Sequence, residues 1–314
     1  MIDIIIPAYN SKDTIKIALD SIASQTIVKQ IKVYLVNDCS DYDYKDIVLL
    51  YKSLLDITEI DLDINMGPGH ARQVGIDASS SDFIMFLDSD DMFFDLNAVE
   101  KAYNFIRNSD YDLVATKFYE ETDEYLNPKI NDYVWMHGKI YRRKFLEDNN
   151  IRFNDTRANE DNGFNNLIIL CGAKTCYLDE PTYIWINNPK SITRKDNYDY
   201  SFSGLSGYIY NIIWAIETAI NKGKKSNKIS KLAYSAFVYM YFSYFEFKEI
   251  KDFSELLKMS KKLLYYSNLY KISKTYKNQV IRDYIASNNY PDLDTDECLK
   301  NMSIDEFKKL VEKI

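Results

Sequence analysis

A chain of 314 residues, 46% hydrophobic and 27% charged, holds enough apolar material for one large core or two ordinary ones, and that balance excludes a disordered or fibrous protein. Four scattered cysteines (Cys39, Cys171, Cys176 and Cys298) exclude a disulfide scaffold and a zinc finger. The net charge of −8 is uneven, at −12 over residues 1–194, +8 over 195–282 and −4 over 283–314, so the acidic first part suits a site built from carboxylates.

Residues 1–10 carry Asp3 inside an apolar run with no basic segment before it, which predicts a core strand, no leader peptide, and a cytoplasmic or membrane-peripheral location. The first strand is expected over 2–6. Ser11 is placed to cap a helix whose apolar positions Ile15, Ala18, Leu19 and Ile22 recur at three- and four-residue spacing. A strand over 31–36, a helix near 44–55 and a strand over 60–64 follow. Gly67 and Pro68 then open a helix with Ala71, Val74 and Ala78 on one face, and residues 83–87 make a fourth strand. Strands alternating with helices predict an α/β fold, a Rossmann-like and mostly parallel sheet with helices on both faces.

Beyond residue 200 the period turns helical. Leu205, Tyr208, Ile209, Ile212, Ile213, Ile216 and Ile220 form one stripe that Gly223 can end. A second helix is expected over 229–251; its uncharged run, 232–245, is shorter than the roughly 20 residues a bilayer requires. A third covers 253–264, and Ser303 with Glu306 forms a capping box before Phe307, Leu310 and Val311. The expected domains are therefore a sheet domain, 1–200, and a C-terminal helical domain, 201–314, packed on it.

Ligands of parallel sheets bind beyond the carboxyl ends of the strands. The segments there are Pro7-Ala8-Tyr9-Asn10, Asn37-Asp38-Cys39-Ser40, Asn65-Met66-Gly67 and Asp88-Ser89-Asp90-Asp91. Each alone is ordinary turn chemistry; four converging sets are not explained that way. Carboxylates crowded at 88–91 repel one another unless a divalent cation, Mg²⁺ or Mn²⁺, sits among them with positions left open for phosphate. Asp38 can accept from an imide N–H such as uracil N3. Arg72, at a helix start, suits phosphate. Glu160 and Asp161 offer a base to a reacting hydroxyl. His70 and His137, the two histidines, are further candidate metal ligands.

Together these motifs resemble the inverting family 2 glycosyltransferases of the GT-A fold. Residues 4–10 are similar to that family's opening strand and loop, and Val36-Asn37-Asp38-Cys39-Ser40 to its second motif, with Asn37 where an acid is usual. Asn65-Met66-Gly67 and Ala71-Arg72-Gln73 resemble its third motif, Asp88-Ser89-Asp90-Asp91 its DxD motif and Glu160-Asp161 its ED motif. Residues 138–143 and 191–194 also resemble recurring family segments. The likeness covers about 1–195 and does not extend to 196–314.

The resemblance implies metal-assisted transfer of a sugar from a nucleotide-diphosphate donor, usually a UDP-sugar, to an acceptor hydroxyl with inversion. Pro7, Tyr9, Asn10, Asp38, Asn65 and Arg72 would contact the nucleotide, Asp88 and Ser89 ribose or sugar, and Asp90 with Asp88 the metal. Asp161 would be the general base, with Glu160 orienting it or contacting the acceptor, and Ser191 and Arg194 would close over the diphosphate. The acceptor would be a polysaccharide, a lipid-linked glycan or modified DNA. Competing readings are a phage-type DNA-base glycosyltransferase, motivated by the basic helical block; a nucleotidyltransferase, disfavoured by the lack of a Gly-rich basic signature near the first strand; and a catalytically inactive sugar-nucleotide-binding module.

Overall fold

Seven consecutive buried residues make β1 (Ile2–Ala8) an interior strand. It pairs in parallel with β2 (Ile31–Asn37) on one side and β4 (Phe83–Phe86) on the other, and β3 (Asp56–Asp61) joins β2, again in parallel. Further along the chain come β5 (Met92–Phe93), β6 (Leu113–Glu121), β7 (Leu126–Lys129), β8 (Lys139–Arg142) and β9 (Thr175–Trp185). The sheet runs β3-β2-β1-β4-β8-β6-β9-β5, with β7 paired to β6. The long ladders β1–β2, β2–β3 and β6–β9 are parallel, while β8 enters antiparallel between β4 and β6. The sheet is thus mixed and mostly parallel, as its alternating first ninety residues predict. This computed structural model describes residues 1–129, 134–188, 198–249, 252–287 and 294–314. The chain divides into two compact units, Met1–Lys195 and Asp196–Ile314.

Several boundaries differ from the sequence reading. Helix α1 (Ile15–Ala23) buries Ile15, Ala18, Leu19 and Ile22 as expected, but the Ser11 hydroxyl does not cap it. That hydroxyl lies 2.8 Å from the Tyr44 phenol, and it is the Ser11 carbonyl that accepts from the Thr14 and Ile15 amides. Helix α2 (Lys45–Tyr51) stops well short of residue 55, because the chain must turn back to enter β3. The expected strand over 60–64 begins four residues earlier, at Asp56. It is the sheet's edge, with Ile57 buried, and Ile64, which the sequence placed inside the strand, is 69% exposed.

Helix α3 (Pro68–Ala78) presents a rotated face: Ala71, Gly75 and Ile76 are buried, Val74 is half-buried and Ala78 exposed. Gly75 explains the rotation, since it lets the helix backbone lie against Ile5 of β1, and a methyl group there would run into Ile5 Cγ2. Gly75→Ala is therefore expected to destabilise by about 1–3 kcal/mol through overpacking, despite alanine's better helix propensity. An unchanged urea midpoint would show that the strand gives way freely.

The remaining helices of the first unit are α4 (Ala98–Arg107), α5 (Arg143–Asp148) and α6 (Glu160–Leu170). The second unit holds α7 (Tyr198–Asn221), α8 (Asn227–Phe247), α9 (Ser254–Ser267), α10 (Lys274–Ser287), α11 (Thr295–Asn301) and α12 (Ile304–Glu312). The apolar stripe of α7 buries Leu205, Ile209, Ile212, Ile213 and Ile216, and Gly223 (φ +75°) terminates the segment as expected. The Ser303–Glu306 capping box is present. Among the described residues, no helix is long and apolar enough to cross a membrane.

Candidate active site

Strand ends β1 and β2 are stitched together where the first loops leave the sheet. Asn10 takes a left-handed backbone (φ 50°), its side-chain amide donates to Asp41 Oδ2 at 3.2 Å, and its Oδ1 accepts from the Asp41 amide at 3.0 Å. The Asn10 amide also donates to Ser40 Oγ. Pro7 stays within buried β1, and Tyr9 is 53% exposed beside it, a free aromatic face at the mouth of the loop.

Asp38 is buried, and both of its oxygens accept backbone amides, from Met66 at 2.9 Å and Gly67 at 2.8 Å. Its backbone carbonyl accepts from Asn65 Nδ2. Asp38 therefore shapes the 65–67 loop, a duty the sequence did not reveal. Asn37, standing where an acid is usual, donates to Asp61 Oδ1 at 2.8 Å. An acid at 37 would set two carboxylates against each other, so the amide is the residue that fits here.

Arg72 links the two acidic motifs. Its buried guanidinium donates through Nη2 to Asp88 Oδ1 at 2.6 Å and through Nη1 to Glu160 Oε1 at 2.7 Å. Burial opposes the arginine's charge, but the two carboxylates outweigh it and hold its pKa above the ordinary value. Both arginine fork donors that the sequence reading directed at phosphate thus face carboxylates. Glu160 is buried at the start of α6, which follows Asn159 in a left-handed conformation. Gly69 lets α3 approach, because a Cβ there would come 2.6 Å from Glu160 Cγ.

Asp161 lies beside Glu160 in the first turn of α6, where its Oδ1 accepts the Asn162 amide at 2.7 Å. Burial, followed by the Glu160 charge, pushes its carboxyl up to about 7, against the opposing pull of Arg72.

The acids after β4 divide their work. Burial disfavours the Asp88 charge, but Arg72, then His137, holds its carboxyl below the usual range. Asp90 accepts from Asn188 Nδ2 at 2.8 Å. Asp91 is 1% exposed, with Oδ2 accepting from the Tyr183 phenol at 2.6 Å and Oδ1 from the Ile186 amide at 2.9 Å. Burial and the neighbouring Asp88 and Asp90 charges push the Asp91 carboxyl well up. His137 Nε2 lies 4.0 Å from Asp88 Oδ2 and 3.9 Å from Asp91 Oδ2. Burial lowers its pKa to about 4, so the imidazole is neutral at pH 7, the form that ligates metals. Phe118, Trp135, Tyr183 and Trp185 surround the imidazole ring.

Among the described residues, one ligand atom from each of Asp88, Asp91 and His137 lies within 4.8 Å of the other two. Two carboxylates that repel each other and a neutral imidazole fit a divalent cation, and the nitrogen ligand suits Mn²⁺ better than Mg²⁺. The sequence reading expected Asp88 and Asp90. The group within reach of one another is instead Asp88, Asp91 and His137, while Asp90 accepts from Asn188 Nδ2. His70 is half-buried on α3 and outside this group. Ser89 is half-buried in the same turn. Ser191 and Arg194 lie outside the described residues. The sequence reading missed Asp91, although the fourth letter of the Asp-Ser-Asp-Asp run marked it, and also missed Tyr183 and Trp185, whose strand carries no local signal of a site.

The model of glycosyl transferase family 2 matches residues 3–158, the span that holds the stitched loops, Arg72 and the acids after β4. The chain belongs to glycosyl transferase family 2. Among family relatives, the poly(ribitol-phosphate) beta-N-acetylglucosaminyltransferase TarS of Staphylococcus aureus is 31% identical over 200 residues, covering 58% of this chain and 35% of TarS. The chain thus spans about a third of that relative's length. A crystal structure of S. aureus TarS 1-349 in complex with UDP-GlcNAc superposes with a TM-score of 0.65 at 19% identity, covering 92% of this chain and 93% of that one. The mannosyltransferase PcManGT from Pyrobaculum calidifontis, in complex with GDP-Man and Mn²⁺, gives a TM-score of 0.56 at 13% identity over 93% of this chain and 88% of that one. These likenesses establish the GT-A fold, and their coverage carries the match past residue 195 into the helical unit, for which the sequence alone offered no resemblance.

Proposed function

We propose that this family 2 member transfers a sugar from a UDP-sugar to an acceptor hydroxyl with inversion at the anomeric carbon. The observation that carries this reading is the Arg72 bridge, which joins Asp88 to Glu160 and so sets the donor-side acids and the candidate base in one site. Asp161 takes the proton of the attacking hydroxyl, and a carboxyl near 7 is matched to that task at neutral pH. Glu160, held by Arg72, keeps the first turn of α6 in place beneath it. Tyr9 offers its exposed ring to the base, and the loop fixed by Asp38 shapes the nucleotide's seat. Asp88, Asp91 and His137 would hold a divalent cation, which when bound supplies positive charge to the diphosphate leaving group. The likeness to TarS supports a UDP-sugar donor and a polyol-phosphate acceptor; the Mn²⁺ in the PcManGT complex supports the metal.

The test is incubation with UDP-GlcNAc, Mn²⁺ and poly(ribitol phosphate). The expected result is a β-linked product, read from the anomeric coupling constant, and loss of turnover in EDTA that Mn²⁺ restores. An α-linked product would overturn the inverting reading. Full activity in EDTA would overturn the metal.

A further inference from the structure

The helical unit contains a cavity of about 470 Å³ between the C-terminal ends of α7 and α9, within the size range of small-ligand sites. Its apolar lining is Ile220, Tyr265, Leu269 and Tyr270, and its polar lining includes Glu217 and Asn221. We propose that this cavity is a non-catalytic subsite for a phosphate-bearing polyol or sugar chain, a second hold on the acceptor. The inference rests on the transferase reading above.

Three observations carry it. First, the Tyr265 ring is 63% exposed, and Leu269 beside it is 37% exposed. An exposed aromatic face against a cavity is what the C–H face of a sugar or polyol packs on, with little conformational entropy to lose. Second, the polar groups are already oriented. Glu217 Oε1 accepts from both Tyr266 OH at 2.8 Å and Lys262 Nζ at 2.9 Å, which fixes the carboxylate in the cavity wall. A fixed carboxylate and the Asn221 amide offer an acceptor and a donor to hydroxyls, the pairing that polyhydroxylated ligands need. Third, the charge fits. Lys222 follows Asn221, Lys271 follows Tyr270, and Lys262 lies one turn before Tyr266, within a stretch, 195–282, of net charge +8. The lining residues, 217–270, all fall within this basic stretch, while the chain as a whole carries −8. Lys262 Nζ, 2.9 Å from Glu217 in the wall, and the basic stretch around the lining favour a chain that alternates hydroxyls with phosphates over a neutral glycan.

The test compares the full-length protein with Tyr265→Ala and with Lys222→Gln/Lys271→Gln. Tyr265 is exposed, so its truncation leaves the fold in place. Acceptor KM is measured for poly(ribitol phosphate), for the single unit ribitol 5-phosphate and for neutral dextran, with UDP-GlcNAc hydrolysis followed in parallel. Tyr265→Ala should raise KM for the polymer by about 5–10-fold, the loss of one stacked contact, and leave the monomer KM and donor hydrolysis unchanged. The lysine variant should raise polymer KM and flatten its salt dependence. Equal polymer KM in all three proteins would overturn the subsite, as would a polymer KM no lower than the monomer's in the unaltered protein. Wild-type preference for dextran would overturn the phosphate assignment. Absence of donor hydrolysis in every protein would instead count against the transferase reading, and polymer binding by the unaltered chain, lost in Tyr265→Ala and read by isothermal titration, would then still decide the subsite.

Discussion

Replacing Asp161 by Asn is expected to lower kcat by about 10²–10⁴, the usual loss when a general base is removed. The amide keeps the shape and can still accept the Asn162 amide through its oxygen, so donor affinity and the fold should hold. The pH dependence sharpens the test. The Asp161 carboxyl is pushed up to about 7 by burial and by Glu160, so the ionised form that accepts a proton accumulates only as pH rises through that value. In the unaltered protein kcat should therefore climb from pH 6 to 8 and level off, while the Asn variant should show no such rise.

Stability should move the opposite way. A carboxyl whose folded pKa exceeds its unfolded one favours the fold at low pH, and that contribution is lost as pH rises through the folded value. Asp161→Asn should thus melt near the unaltered protein below pH 4, and increasingly above it as pH rises to about 7. A variant with undiminished kcat would pass the base role to Glu160. One with low kcat and no change in the pH profile would show that the limb belongs to another group.

How much of this could be read in the sequence follows from how local each signal is. The strand β1 and the stripe of α7 were legible because period and burial agree over many residues. Asp88 and Glu160-Asp161 were legible as acids after a strand and at a helix start. The sequence could not show that one guanidinium joins them, because Arg72, Asp88 and Glu160 come from three separated segments. It could not assign Asp90 and Asp91 their different partners either. Adjacent residues of a tight turn point apart, and Tyr183 and Asn188, which tell them apart, arrive with β9 and the residues after it. The edge strand β3 was misplaced because its pattern mixes buried and exposed positions, whereas the Ile60–Ile64 stretch looks more apolar. The sequence offered His70 and His137 alike as candidate ligands; only the packing, which sets His137 beside Asp88 and Asp91 among four aromatic rings, tells the two apart.

The Arg72 bridge makes the second large prediction. Arg72→Met removes the positive charge and keeps much of the side chain's volume, so packing changes little. What remains is Glu160, 8% exposed, and Asp88, 27% exposed, each without its guanidinium partner. Breaking a buried ion pair by removing one partner typically costs about 3–5 kcal/mol. In a domain of this size each kcal/mol lowers Tm by roughly 2–4 °C, so a drop of about 6–20 °C is expected at pH 7. The sign of its pH dependence follows from Asp88. Arg72 holds that carboxyl below the usual range, so its stabilising contribution exists above the unfolded pKa and fades as pH falls through the folded one. The deficit of Arg72→Met should therefore shrink towards pH 4, where protonation relieves the stranded Asp88 carboxylate. Arg72→Lys tests geometry separately. A single ammonium cannot span both oxygens as the fork does, so it should recover only part of the loss. Two outcomes would contradict the bridge: a melting temperature for Arg72→Met within about a degree of the unaltered protein, or a deficit that grows as pH falls. Either would mean that Asp88 and Glu160 are held by other groups, and the shared site inferred from the bridge would need a different support.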